Sequence, residues 1–138
     1  MPVAAIAILA VLGAIVFGSA LFLLIGFILA GVSGWLALAG KYRASAPPQG
    51  TRHASVSARI GPVNYNAMLT VYVSAQGLYL AAMALFRWSH RDLFIPWSAV
   101  TARRDGRNIF YETVELSIGQ PAITGVILPK RILAEAPA

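Results

Sequence analysis

An unbroken apolar segment opens the chain. From Val3 to Gly40 the only polar side chains are Ser19 and Ser33, and the first charged residue is Lys41. A membrane-spanning helix needs about 20 apolar residues, so this segment is nearly twice as long as one span requires. The pattern therefore predicts an N-terminal membrane anchor.

Three arrangements of this segment fit its pattern. It can form one long helix, a two-helix hairpin that turns at Gly18-Ser19, or one span followed by a helix in the membrane interface. A single helix through Gly40 would be about 57 Å long, far more than a hydrocarbon core of about 30 Å. We favour the third arrangement, with a span from Val3 to about Leu29, a break over residues 31–34, and an interfacial segment over residues 35–43.

Several side chains suit the headgroup layer. Trp35 and Tyr42 are the aromatic types found there, and Lys41 and Arg43 can reach lipid phosphates. Trp88, between two polar stretches, is a further candidate anchor. A cleaved signal peptide is disfavoured, because no Lys or Arg precedes the apolar run and the run exceeds a signal core.

Small residues recur every four positions along the apolar segment, interrupted at Phe22. Such a stripe lets two helices approach closely in lipid. It predicts a helix-packing seam formed by Ala10, Ala14, Gly18, Gly26, Ala30 and Gly34.

Charge sets the expected orientation. Lys41, Arg43, Arg52 and Arg59 follow the span, and positive residues favour the cytoplasmic side. We therefore expect a single-pass protein of the cell inner membrane with a cytoplasmic C-terminal domain. The expected divisions are an anchor with its interfacial segment (1–43), a Pro-containing linker (44–52) and a small domain (53–138).

The remainder of the chain reads as β-structure. Leu69, Val71 and Val73 alternate with polar residues, which predicts a half-buried strand. A glycine turn joins it to a strand over residues 78–86, and further strands are expected over 54–60, 93–95, 97–102, 109–118 and 122–128. Asp105-Gly106 predicts a turn over residues 103–108. A short helix is expected over residues 129–135, so that the domain is a small antiparallel barrel or sandwich plugged by that helix.

A family resemblance runs through these segments. It is carried by Gly77–Leu80, Phe86-Arg87, His90 and Leu93–Trp97, with Ser33–Trp35, Leu38-Ala39 and Tyr42-Arg43 upstream. The chain resembles small membrane-anchored bacterial proteins of unknown function whose soluble part is PH/GRAM-like. The resemblance implies a membrane-anchored α+β protein, with an N-terminal transmembrane helix followed by a PH-like β-domain.

Catalytic chemistry is poorly represented. The chain has no cysteine and two histidines, His53 and His90. Residues 89–92 supply the triad types Ser, His and Asp, but consecutive residues rarely reach triad geometry. We expect no enzyme activity, no metal site and no cofactor.

The basic residues point instead to a partner. The formal charge is +6, which suits a domain beside anionic lipid without any nucleic acid. We expect Arg87, Arg91, Arg103, Arg104 and Arg107 to lie in two loops that contact lipid phosphates or an acidic protein, or that are merely solvated. The leading hypothesis is a non-enzymatic accessory or scaffold subunit of a larger integral membrane protein complex. The alternative is a stand-alone module that binds anionic lipid headgroups.

Overall fold

The structure is a computed structural model that describes residues 2–133. Its first element is α1 (Val3–Ser33), followed by α2 (Trp35–Tyr42). The 31 residues of α1 give a helix about 46 Å long. Because α1 is continuous through Gly18-Ser19, the hairpin arrangement is wrong, and the helix also extends four residues beyond the expected end at Leu29.

The break between the helices lies at Gly34. Its φ of 93° is left-handed, a conformation that glycine adopts without steric cost, and its N–H donates to the carbonyl of Gly31 at 3.3 Å. A Cβ at Gly34 would also lie 2.8 Å from the Cβ of Thr124. The predicted break is therefore confirmed, and both backbone conformation and packing require glycine there.

Seven antiparallel strands form one curled sheet, a half-barrel. The strands are β1 (Thr51–Ile60), β2 (Val63–Val73), β3 (Gly77–Ala82), β4 (Leu93–Pro96), β5 (Val100–Arg107), β6 (Glu112–Ile118) and β7 (Thr124–Pro129). Their order in the sheet is β4-β3-β2-β1-β7-β6-β5. The two edge strands are consecutive in the chain, joined by a short 3-10 turn at Trp97–Ala99.

The alternating pattern places the core where the sequence predicted it. Leu69, Val71 and Val73 on β2 are buried, as are Leu116 and Ile118 on β6. This face of the sheet forms one cluster with side chains of both helices. Burial of such side chains away from water is the main stabilising contribution to a domain of this size.

The helix α2 does not lie free in the interface. Its Trp35 and Leu38 are completely buried in the core of the half-barrel, and Arg43 pairs with Leu93 at the edge of β4. The expectation that Trp35 sits among lipid headgroups is therefore wrong. Apolar area that would have contacted lipid instead covers the open side of a curled sheet.

The turn between β5 and β6 lies further along the chain than expected. The turn expected at Asp105-Gly106 is part of β5, and the chain turns after Arg107, where the side-chain oxygen of Asn108 accepts the N–H groups of Phe110 and Tyr111, each at 2.8 Å. The side chain of Asn108 thus pairs two backbone N–H groups of the turn, which favours a turn here over one at Asp105-Gly106.

At the C-terminal end the described residues contain only a 3-10 turn, Lys130–Leu133, in place of the expected helix. Ala134 and Glu135, the end of that expected helix, lie outside the described residues. Ile132 and Leu133 are buried in the core cluster, so the turn still closes part of the half-barrel.

Candidate functional site

The joint between α1 and the sheet is held by the last residues of the helix. The hydroxyl of Thr124 donates to the carbonyl of Ser33 at 2.8 Å. The hydroxyl of Tyr65 donates to the side-chain oxygen of Ser33 at 3.1 Å. These bonds connect the end of α1 to β7 and β2, which lie apart in the sequence.

A buried hydrogen-bonded cluster extends from this joint. Nε2 of His90 lies 2.9 Å from the hydroxyl oxygen of Tyr65, and Nδ1 of His90 lies 2.9 Å from Oγ of Ser89. All four side chains of the cluster, including Ser33, are buried. Buried polar groups need such partners, because an unpaired one costs about 1–3 kcal/mol. We call Ser33, Tyr65, Ser89 and His90 the joint cluster.

The hydroxyl groups of the joint cluster also bond to the backbone. The hydroxyl of Ser33 donates to the carbonyl of Ala30 at 3.3 Å, and the hydroxyl of Ser89 donates to the carbonyl of Phe86 at 3.2 Å. Burial lowers the pKa of His90 to about 4, and a hydrogen bond to the backbone of Phe86 partly opposes this. Burial also raises the pKa of Tyr65. Both side chains are therefore uncharged at neutral pH.

The geometry does not form a catalytic triad. The carboxylate of Asp92 accepts a hydrogen bond from the hydroxyl of Tyr79 at 2.6 Å, away from His90. Burial, with the carboxylate of Asp92 as a second cause, raises the pKa of Tyr79 to about 12. His90 itself is 0% exposed, so a substrate has no access to it. The cluster connects the end of α1 to β2 and to the segment before β4.

Trp35 makes a second set of contacts at the joint. Its indole N–H donates to the carbonyl of Arg91 at 2.8 Å, and its ring lies edge-on to His90 at 5.1 Å. Sequence reasoning missed the roles of Tyr65 and Ser33. The signal in the sequence was Ser33 beside Gly34 at the end of the apolar segment, because a serine that is buried there needs a hydrogen-bond partner.

The stripe of small residues is divided between two environments. At Gly26 a Cβ would lie 2.8 Å from both Oγ of Ser89 and the ring of Trp88, and Ala30 is completely buried. The C-terminal half of the predicted seam (Gly26, Ala30 and Gly34) thus packs on the protein's own β-domain. The N-terminal half (Ala10, Ala14 and Gly18) is exposed along α1.

An apolar loop follows β3 and lies against α1. The strand expected through Phe86 ends at Ala82, and a 3-10 turn covers residues 84–86. Phe86 contacts Phe22 with a ring separation of 5.1 Å, and Trp88 contacts Phe27 at 4.9 Å. We call residues 83–88 the Met83–Trp88 loop.

The five candidate arginines form two separate groups. Arg87 and Arg91 lie between β3 and β4, whereas Arg103, Arg104 and Arg107 lie on β5 itself and not in a loop. These strands belong to opposite edges of the sheet. Arg104 forms an exposed ion pair with Glu115 at 3.4 Å.

The turn after β5 is unusually apolar for an exposed position. Ile109 is 90% exposed and Phe110 is 84% exposed, just after Arg107 at the end of β5. Large exposed apolar side chains with charged neighbours are typical of interaction surfaces. We call residues 108–111 the β5–β6 tip.

The other predicted anchors come together at the end of α2. Lys41, Tyr42 and Arg43 line a cavity of about 570 Å³, together with Tyr79 and other residues of the linker, β3 and β4. Two exposed cations at one cavity fit an anionic group. No group of three metal-ligating side chains is found within residues 2–133.

Within residues 2–133 α1 is the one helix that is long and apolar enough to cross a membrane. No protein-family model, curated protein or solved structure matches the chain.

Proposed function

We propose that the protein is a non-enzymatic accessory or scaffold subunit that docks its β-domain on a larger integral membrane protein complex. In this proposal α1 spans the inner membrane and the β-domain lies on the cytoplasmic side. The observation that carries the proposal is the β5–β6 tip, where Ile109 and Phe110 are exposed at the end of the strand that carries the three arginines. A surface of this kind fits a protein partner that offers an apolar pocket with acidic neighbours.

The joint cluster supports a scaffold role. Hydrogen bonds from Thr124 and Tyr65 to Ser33 and the buried indole of Trp35 fix the last turn of α1 to the sheet. A domain held in this way presents its surfaces at a constant angle to the helix. A binding surface that already has its bound arrangement loses less conformational entropy when the partner docks.

The fold assignment within this proposal is PH-like. Seven antiparallel strands in one curled sheet support it, as does the covering of the open side by Trp35, Leu38 and Ile132. In this chain α2 supplies Trp35 and Leu38 to that cover.

The alternative function is recognition of an anionic lipid headgroup. The cavity at the end of α2 favours it, because Lys41 and Arg43 converge there with the aromatic side chains of Tyr42 and Tyr79. A lipid module would act without a protein partner and would bind anionic vesicles.

Extraction in mild detergent followed by co-purification tests the two functions. We expect the wild type to carry a stoichiometric integral membrane protein, and the double variant Ile109→Ser with Phe110→Ser to lose it while keeping its thermal transition. The matched control is Leu36→Ser, a partly exposed apolar residue of α2, which should keep the partner. A lone wild-type protein that binds anionic vesicles, with binding lost on Lys41→Glu and Arg43→Glu, would contradict the scaffold role and favour the lipid module.

A further inference from the structure

The position of Phe22 along α1 gives a depth in the bilayer. Phe22 lies 19 residues after Val3, the first residue of the helix. At 1.5 Å per residue this distance is about 28 Å, close to the thickness of one hydrocarbon core. When Val3 lies at one boundary of that core and α1 is upright, Phe22 lies at the other boundary, on the side of the β-domain; with the tilt that a span to Leu29 requires, Phe22 lies inside the core.

The Met83–Trp88 loop is held at this depth by ring contacts. Phe86 lies 5.1 Å from Phe22, and Trp88 lies 6.3 Å from Phe22 and 4.9 Å from Phe27. The absence of a side chain at Gly26 lets the indole of Trp88 approach the helix, since a Cβ there would lie 2.8 Å from the ring.

The outer side of the loop is apolar. Leu85 is 63% exposed and Met83 is 42% exposed. A loop of soluble protein rarely shows two such side chains together without a partner. Because the loop adjoins a membrane-spanning helix at the boundary of the acyl chains, the surface that would cover it is the bilayer.

The polar groups of the loop are compatible with this environment. The indole N–H of Trp88 donates to the carbonyl of Leu85 at 2.8 Å, and the N–H of Phe86 donates to the carbonyl of Met83 at 2.9 Å. Internal pairing of this kind removes most of the penalty for entering lipid. Arg87 is exposed in the same loop, and its Nε–H donates to the carbonyl of Ala82 at 3.3 Å.

We propose that the Met83–Trp88 loop is a second membrane-embedded element, which inserts Met83, Leu85 and Trp88 into the bilayer beside α1. The inference rests on the proposed membrane span of α1. Two points of insertion, one helix and one loop, fix the rotation of the β-domain about the helix axis and its height above the membrane.

Single-cysteine labelling tests the proposal directly, because the chain has no cysteine of its own. An environment-sensitive fluorophore is attached in turn at Leu12→Cys, Leu85→Cys and Ala75→Cys in the full chain, reconstituted into phosphatidylcholine–phosphatidylglycerol vesicles. Quenching by lipids that carry a nitroxide on the acyl chain is then measured. Ala75, exposed in the turn between β2 and β3, is the control, since it lies at the far end of a six-residue strand, about 20 Å from the loop.

We expect strong quenching at positions 12 and 85 and little at position 75. Quenching at position 12 with position 85 as unquenched as position 75 would overturn the loop insertion and leave the span intact. No quenching at position 12 would overturn the span and the inference with it. Equal quenching at positions 85 and 75 would also overturn it, because the domain would then lie on the membrane without a specific loop. A Met83→Cys label serves as a second probe and should behave like position 85.

Discussion

Acidification should loosen the joint between helix and sheet through His90. The imidazole is 0% exposed and its neighbours on three elements, Tyr65, Trp35 and Phe86, carry no charge. Its pKa is lowered from 6.5 to about 4 by burial. Protonation in the unfolded chain therefore begins at a higher pH than in the folded protein, so the folded state loses stability as pH falls.

The magnitude follows from linkage between protonation and folding. The contribution of neutral His90 is complete above pH 6.5 and is lost progressively between pH 6.5 and about pH 4. The full difference in pKa corresponds to a loss of about 3 kcal/mol, of which about 2 kcal/mol is reached at pH 5. Such a loss is a large share of the stability of a small domain.

The assay is urea unfolding of the full chain in detergent micelles, followed by tryptophan fluorescence at pH 7.5 and pH 5.0. His90→Gln keeps a donor and an acceptor at this position but does not titrate, and His53→Gln removes the other histidine as a matched control. We expect the wild type and His53→Gln to lose about 2 kcal/mol between the two pH values, and His90→Gln to lose much less. An equal loss in His90→Gln would show that titration of His90 does not cause the loss of stability.

Three further predictions concern the helix, the topology and a buried tyrosine. Gly26→Leu should displace Trp88 and lower the melting temperature, whereas Gly18→Leu, at a position where a Cβ meets nothing within 4 Å, should leave it unchanged in the isolated protein; equal effects would show that Gly26 is not a packing contact. Cysteines at the exposed position Ala102 should be shielded from an impermeant thiol reagent in intact cells, and ready labelling would reverse the proposed orientation. Because the pKa of Tyr79 is raised to about 12, the wild type should lose stability as pH rises above 10, and in Tyr79→Phe this loss should be smaller; the same alkaline slope in both proteins would contradict it.

Periodic patterns predicted the parts of the fold that local sequence controls. The alternation of Leu69, Val71 and Val73 placed β2 with the correct face inward, because a strand with one buried face repeats every two residues. The break near Gly34 was also predictable from local sequence, because a glycine at the end of an apolar helix readily adopts the left-handed conformation that ends the helix.

Contacts between distant segments were not predictable from local pattern. A tryptophan after an apolar segment is equally compatible with the lipid headgroup layer and with a protein core. Trp35 is buried because the curled sheet, whose strands come from distant parts of the chain, packs against it. The bond between Tyr65 and Ser33 joins residues 32 positions apart, and no periodicity reports such a pair. The Asp105-Gly106 signal was overridden because Asn108 satisfies the turn donors two and three residues further on.

Site-specific photocrosslinking in native membranes tests the docking role most directly. A photoreactive amino acid at Phe110, 84% exposed at the β5–β6 tip, is compared with the same group at Ala75 in the turn between β2 and β3. We expect one crosslinked integral membrane protein from position 110, absent from position 75 and lost when Arg103, Arg104 and Arg107 are replaced by Glu. Crosslinks from position 110 to lipid alone, or the same protein products from both positions, would contradict it.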